Sequence, residues 1–160
     1  MRIDQEAAAA ALRCVDMLWE GDEMAIVSKP PGMPVHGSAR CLHAALSCMN
    51  QDGPGLLPSP VPLVAPSERT GGVVLLARTV SAAMRWFETP RDTNFPFTWE
   101  LLAVVVGVPS AGSLAEVAPL GGCVERSQAS VRFHNISLVS FRVALVPNAE
   151  QALRCRLAEL

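Results

Sequence analysis

Side chains that could bind a metal or act as nucleophiles are few and scattered in this sequence. The chain contains five cysteines and three histidines: Cys14, Cys41, Cys48, Cys123, Cys155, His36, His43 and His134. No two cysteines form a C-x-x-C pair, and the histidines show no ligand spacing with them. Because structural zinc sites need such closely spaced pairs, the pattern predicts buried free thiols, no metal site and no cofactor.

The composition of the 160 residues excludes several classes of protein. Half of the residues are hydrophobic and 18% are charged, which excludes intrinsic disorder as the main state. The longest apolar runs, such as residues 101–106, are too short to cross a membrane, and the first residues lack a secretory pattern. We therefore expect a soluble, intracellular chain that forms a single domain.

The charge balance limits how the chain could bind nucleic acid. Thirteen basic and fifteen acidic residues give a formal net charge of -2, which argues against a strongly basic, freely acting nucleic-acid binder. Arginines clustered on one face would still be compatible with RNA contact, because such a contact depends on local charge.

The first half of the chain predicts a helix, a hairpin and a rigid loop. Residues 5–14 are rich in strong helix formers. Residues 15–19 and 24–28 are short apolar runs on either side of a Gly-Asp turn, which predicts a hairpin. The next residues, 29–37, contain three prolines and predict a rigid loop. A second helix is expected over residues 39–49, followed by a long irregular connection from Asp52 to Pro66, because that stretch is rich in proline and glycine.

The second half of the chain favours strands. Residues 73–77 predict a buried strand, and Thr79 is expected to cap a helix that ends near Phe87. Residues 97–106 predict another strand, and residues 129–133 and 138–146 predict two more. Alternating residues in the last run suit a sheet with one buried face. The predicted class is α+β, mainly an antiparallel mixed sheet with few flanking helices.

Four segments carry a resemblance to a known family. Residues 18–36, LWEGDEMAIVSKPPGMPVH, resemble the opening of RluA-type pseudouridine synthases, which have a strand, E-D, a second strand and K-P-x-G-x-x-V-H. Residues 69–79, 99–107 and 151–158 are similar to later family segments and follow in the same order. The resemblance covers residues 15–158 and implies one pseudouridine-synthase-like catalytic domain over residues 1–160. It stops before the family's final G-H-P-x-x-G-D segment, so we expect that C-terminal end to be lacking.

Three pocket positions depart from the family pattern. The family's catalytic aspartate, in H-R-L-D, falls at Ser67, and a serine hydroxyl is almost wholly un-ionised near neutral pH. The pocket tyrosine falls at Leu101, and the family's lysine falls at Trp99. The family's arginine in H-Q-I-R persists as Arg154. Because several pocket elements change together, we expect no catalytic residues at the degenerate positions Ser67 and Leu101, and therefore an inactive relative.

The resemblance also implies which residues contact RNA. Those residues are Lys29, His36, Arg69 and Arg154. Lys29 and His36 leave an alternative open, since each could equally be a turn residue or a half-buried surface group.

Three hypotheses about function follow. The first is a catalytically inactive protein with a structural or assembly role in a ribosomal RNA–protein particle, with ribosomal RNA and ribosomal or assembly-factor proteins as partners and no membrane. A mitochondrial or other organellar location is expected, with the cytoplasm as the alternative. The second hypothesis is an active ribosomal RNA pseudouridine synthase in which Glu68 or Asp92 replaces the missing carboxylate. The third is a protein-only scaffold paired with another synthase-like subunit.

Overall fold

The structure, a computed structural model, describes residues 4–49, 53–89, 98–107, 110, 124–144 and 149–159. The chain divides into two compact units, Met1–Thr89 and Pro90–Leu160, called here the N-terminal and C-terminal units. The prediction that the whole chain forms one domain stays a prediction. Among the described residues, no helix has the length and apolar character needed to span a membrane.

The described residues of the N-terminal unit form one sheet and three helices. Its elements are α1 (Gln5–Leu12), β1 (Asp16–Glu20), β2 (Met24–Lys29), α2 (Leu42–Leu46), β3 (Leu56–Val64), β4 (Gly72–Thr79) and α3 (Val80–Glu88). The four strands are antiparallel and lie in the order β1-β2-β4-β3. The predicted hairpin and the predicted strand at residues 73–77 are therefore confirmed.

The core of the N-terminal unit forms where α1 and α2 cover one face of the sheet. Strand β2 alternates strictly, so that Ala25, Val27 and Lys29 are its buried residues. They lie on the same side of the sheet as Val74 and Leu76 of β4. A lysine thus occupies the last position of an otherwise apolar, inward-facing row.

The long irregular connection that the prolines predicted is contradicted over residues 56–64, so that prediction was wrong there. Residues 56–64 form strand β3, which pairs only at one side because it lies at the edge of the sheet. Half of the N–H groups of an edge strand point away from the sheet, so proline is tolerated there. Pro58, Pro60 and Pro62 recur at the two-residue period of a strand, which makes this tolerance possible.

The predicted helix after β4 is confirmed as α3. Thr79 is its N-cap, and the Thr79 hydroxyl accepts a hydrogen bond from the Ala82 amide at 3.2 Å. Helix α2 is shorter than the predicted helix over residues 39–49.

The described residues of the C-terminal unit form a three-stranded antiparallel sheet and one helix. Its elements are β5 (Thr98–Val106), β6 (Val124–Phe133), β7 (Ile136–Ala144) and α4 (Ala149–Glu159), with strand order β5-β7-β6. Val139, Phe141 and Val143 of β7 are fully buried and pack with Leu153 of α4. The predicted alternation of β7 is therefore confirmed for these residues.

The sequence did not predict helix α4, and it predicted the exposure of the cysteines only in part. The four described cysteines are free, but only Cys41 is buried and Cys48 half-buried, whereas Cys14 and Cys155 are exposed. The prediction of buried thiols was wrong for the two exposed ones. Asp92, the alternative carboxylate, and Cys123 lie outside the described residues.

Candidate functional site

The side chain of Lys29 joins two loops at one end of the N-terminal sheet. The residue is 1% exposed. Its ammonium group donates to the carbonyl oxygens of Thr70 at 2.8 Å, Met33 at 2.9 Å and Ser67 at 3.1 Å. The carbonyl oxygens of Pro30 and Glu68 are farther from the ammonium nitrogen, at 3.2 and 3.5 Å. An ammonium carries three N–H donors, so these carbonyls share them.

Backbone contacts bring the same two loops together. The Gly32 amide donates to the Glu68 carbonyl at 2.8 Å. A Cβ added at Gly71 would lie 2.8 Å from Cδ of Pro31 and 3.2 Å from the carbonyl oxygen of Lys29, so only a glycine allows this approach. Residues 30–33 and 67–71 are therefore held as one structure, called here the paired loops.

Ser67 begins a tight turn in the paired loops. The Thr70 amide donates to the Ser67 carbonyl at 3.1 Å, and the Ser67 hydroxyl donates to the Thr70 hydroxyl at 3.4 Å. Ser67, Glu68 and Arg69 are all exposed. A threonine hydroxyl is not a general base, so its contact with Ser67 does not make the serine a nucleophile.

His36 follows the first of the paired loops and lies beside a second histidine. The ring centroids of His36 and His43 are 5.5 Å apart, and the rings are tilted by 48°. Both residues are exposed. His43 was not singled out from the sequence; its position seven residues after His36 is not a recognised ligand or base–acid spacing.

The described ion pairs of the N-terminal unit lie at the end of the sheet opposite the paired loops. At the end of the sheet that carries the β1–β2 turn, Arg78 pairs with Glu20 at 2.8 Å, and Arg85 pairs with Glu23. The paired loops lie at the other end of β2, roughly 17 Å away for a strand of this length. Within the described parts of the chain, no ion pair involves Arg40 or Arg69, which are exposed there.

Two predicted site residues belong to the C-terminal unit. Leu101 is half-buried and packs against the cluster of Val139, Phe141 and Val143, so it is part of the apolar packing of that unit. Arg154 lies on α4 and is 41% exposed, with an ion pair to Glu150 at 3.1 Å one helical turn earlier. The structure thus brings Lys29, Ser67 and Arg69 together and describes Leu101 and Arg154 in the other unit.

The described residues contain no group of three or more metal-binding side chains. In the N-terminal unit, Arg69 is exposed on the paired loops, and His36, Arg40 and His43 are exposed among residues 36–43, which follow the first of these loops. This arrangement suits the binding of an anionic ligand better than nucleophilic chemistry at Ser67.

Comparisons with known proteins support the fold. No protein-family model and no curated protein matches the chain. A solved structure described as human RNA pseudouridylate synthase domain containing 4 is similar, with a TM-score of 0.61 and 16% sequence identity. The match covers 92% of this chain and 66% of the human chain. This chain therefore spans slightly less than two thirds of the length of the human chain. The likeness confirms the predicted fold, a mixed α+β architecture of the pseudouridine-synthase type.

Proposed function

We propose that this chain is an RluA-type, catalytically inactive pseudouridine-synthase-like protein that binds RNA. Its role would be structural or in assembly, in a ribosomal RNA–protein particle whose RNA and proteins are its partners. We place the particle in the mitochondrion or another organelle, with the cytoplasm as the alternative.

The contrast between the intact paired loops and the serine at position 67 supports an inactive protein that still binds RNA. The paired loops are built around a buried lysine, yet the position of the family's catalytic aspartate holds a serine whose hydroxyl bonds to Thr70. The scaffold is therefore kept while the carboxylate is absent. Arg69 on the paired loops is exposed and outside any described ion pair, so it supplies a positive charge for phosphate binding there, and the exposed Arg40 precedes α2.

The assigned role of Lys29 follows from its burial. At 1% exposure its ammonium group binds backbone carbonyls, which favours the alternative of a turn residue over RNA contact. We propose that Lys29 positions the loops, and that His36, Arg69 and Arg154 remain the candidates for RNA contact.

The test measures RNA binding and isomerisation in the same preparation. Fluorescence anisotropy with a uridine-containing stem-loop of ribosomal RNA should show binding that weakens between about 50 and 200 mM salt. Mass spectrometry of the same RNA after incubation should find no pseudouridine. Pseudouridine formation would overturn inactivity and favour the second hypothesis, in which Glu68 or Asp92 acts. Absence of binding at low salt would favour the protein-only scaffold.

The proposed particle is tested separately. Purification of the tagged protein from cell extract should recover ribosomal RNA and ribosomal proteins together, and both should be lost after nuclease treatment. Recovery of a synthase-like subunit without RNA would contradict the role in a ribosomal particle.

A further inference from the structure

The histidine pair is formed by residues on two different segments. His43 is the second residue of α2, and His36 lies in the loop before that helix. The two exposed imidazoles nevertheless meet, with centroids 5.5 Å apart. Two imidazoles at this distance can both reach one small ligand.

Backbone hydrogen bonds fix the positions of the two histidines. The first amides of a helix have no partner within it. In α2, the Leu42 amide donates to the Pro34 carbonyl at 2.8 Å, and the His43 amide donates to the Val35 carbonyl at 3.0 Å. His36 is the next residue after Val35, so these bonds hold its backbone beside the start of α2.

The elements next to the histidine pair in the chain and in the packing carry several charged side chains. Helix α1, which packs on α2, carries Glu6, with Asp4 at its start, where the Asp4 carboxylate accepts the Ala7 amide at 3.2 Å. Arg40 precedes α2, and the paired loops carry Glu68 and Arg69. Within the described residues, neither histidine is in an ion pair.

We propose that His36 and His43 together form a proton-linked site for a phosphodiester group of RNA. The inference rests on the proposed function and adds a second residue and a pH response to it. Neutral imidazoles offer a phosphate at most one N–H donor each, whereas protonated ones offer positive charge and donors. Two cations this close repel each other, and a phosphate oxygen between them removes that repulsion.

Binding therefore takes up protons from solvent. Each imidazole that is neutral in the free protein and protonated in the complex gains one proton, and no other bond changes. Because the complex holds more protons than the free partners, lowering the pH tightens binding. One proton taken up per complex corresponds to a change of about tenfold per pH unit at most.

The test compares RNA affinity at pH 7.5 and pH 6.0, because the charge of imidazole is the side-chain charge that responds to mild acidification in general. The wild-type protein should bind the ribosomal RNA stem-loop about threefold to tenfold more tightly at the lower pH. His36→Gln and His43→Gln should each remove most of this gain. His134→Asn in the C-terminal unit is the matched control and should keep it, since asparagine tolerates the positive φ of 51° found there.

Separate measurements distinguish the possible failures. RNA binding that depends on salt but not on these two histidines would overturn the inference and leave the proposed function standing. Absence of RNA binding at either pH would overturn both. NMR signals of His36 and His43 that respond to inorganic phosphate but not to RNA would show a free-phosphate site and overturn the RNA assignment.

Discussion

Lys29 occupies a position where most side chains would be apolar. It continues the inward row of Ala25 and Val27, and a buried ammonium is costly unless its donors are bonded. The carbonyls of Met33, Ser67 and Thr70 meet that need. The ammonium in turn donates hydrogen bonds to carbonyl groups of both irregular loops, and two carbonyl groups cannot hydrogen-bond to each other.

We expect Lys29→Met to destabilise the protein by about 2–4 kcal/mol, because methionine fills the space but leaves several buried carbonyls without donors. The free energy of unfolding, measured by urea denaturation, checks this. Arg40→Met is the matched control, since it removes an exposed cation and should change stability by about 0.5 kcal/mol or less. Equal stability of the two variants would contradict the structural role of Lys29.

Ser67 has a hydroxyl contact that contributes little to stability. Ser67→Ala loses one exposed hydrogen bond to Thr70, so we expect a change within about 0.5 kcal/mol and unchanged RNA affinity. Glu68→Gln should likewise leave the modification state of the RNA unchanged. Mass spectrometry of RNA incubated with each variant and with the wild type gives the comparison. A pseudouridine signal that disappears in either variant would identify that residue as catalytic.

At the residue scale, the sequence indicated the site only in part. The motif around Lys29 was visible, but its burial depends on the register of β2, which a lone K-P-x-G does not reveal. The contact of His43 with His36 depends on how the loop packs against the start of α2. Such contacts between separate segments are not encoded in spacing.

The elements with clear alternation or caps were predictable. Strand β7 shows a period of two, and Thr79 precedes a helix that it caps. Strand β3 was missed because proline usually opposes strands, and only its edge position makes them acceptable. Helix α4 was missed although signals existed: Leu153 and Leu157 share one face, and Glu150 and Arg154 are spaced as a helical ion pair.

Two glycines test how tightly the paired loops approach. In Gly71→Ala, the new Cβ meets Cδ and N of Pro31 at 2.8 and 3.0 Å, and a proline ring cannot rotate away. We expect a loss of about 1–3 kcal/mol. In Gly21→Ala, the close atoms belong to the half-exposed ring of Trp19, which can move.

The Gly21→Ala variant is therefore the control and should lose less than about 1 kcal/mol, since alanine also lowers the entropy of the unfolded chain. Urea denaturation of both variants decides the point. A larger loss for Gly21→Ala than for Gly71→Ala would show that the loops do not depend on close approach.

The net charge of the whole molecule disfavours RNA binding, whereas a local group of exposed cations favours it. A net charge of -2 repels a polyanion at long range, so binding depends on a local group of cations. In the N-terminal unit, Arg78 and Arg85 are in ion pairs with glutamates at the β1–β2 turn. Arg40 and Arg69 are exposed and in no described ion pair, so we expect them to release counterions from RNA.

We expect a shallow dependence of affinity on salt, because few cations take part. For contacts to the single-stranded loop of this stem-loop RNA, the slope of log K against log salt is about -0.7 for each phosphate neutralised. Replacing both Arg40 and Arg69 by glutamine should make the slope less steep by about 1.4. Arg13→Gln on the surface next to α1 is the matched control and should leave the slope unchanged. An unchanged slope in the double variant would place the RNA contacts away from Arg40 and Arg69, because the phosphates would then be neutralised by other cations.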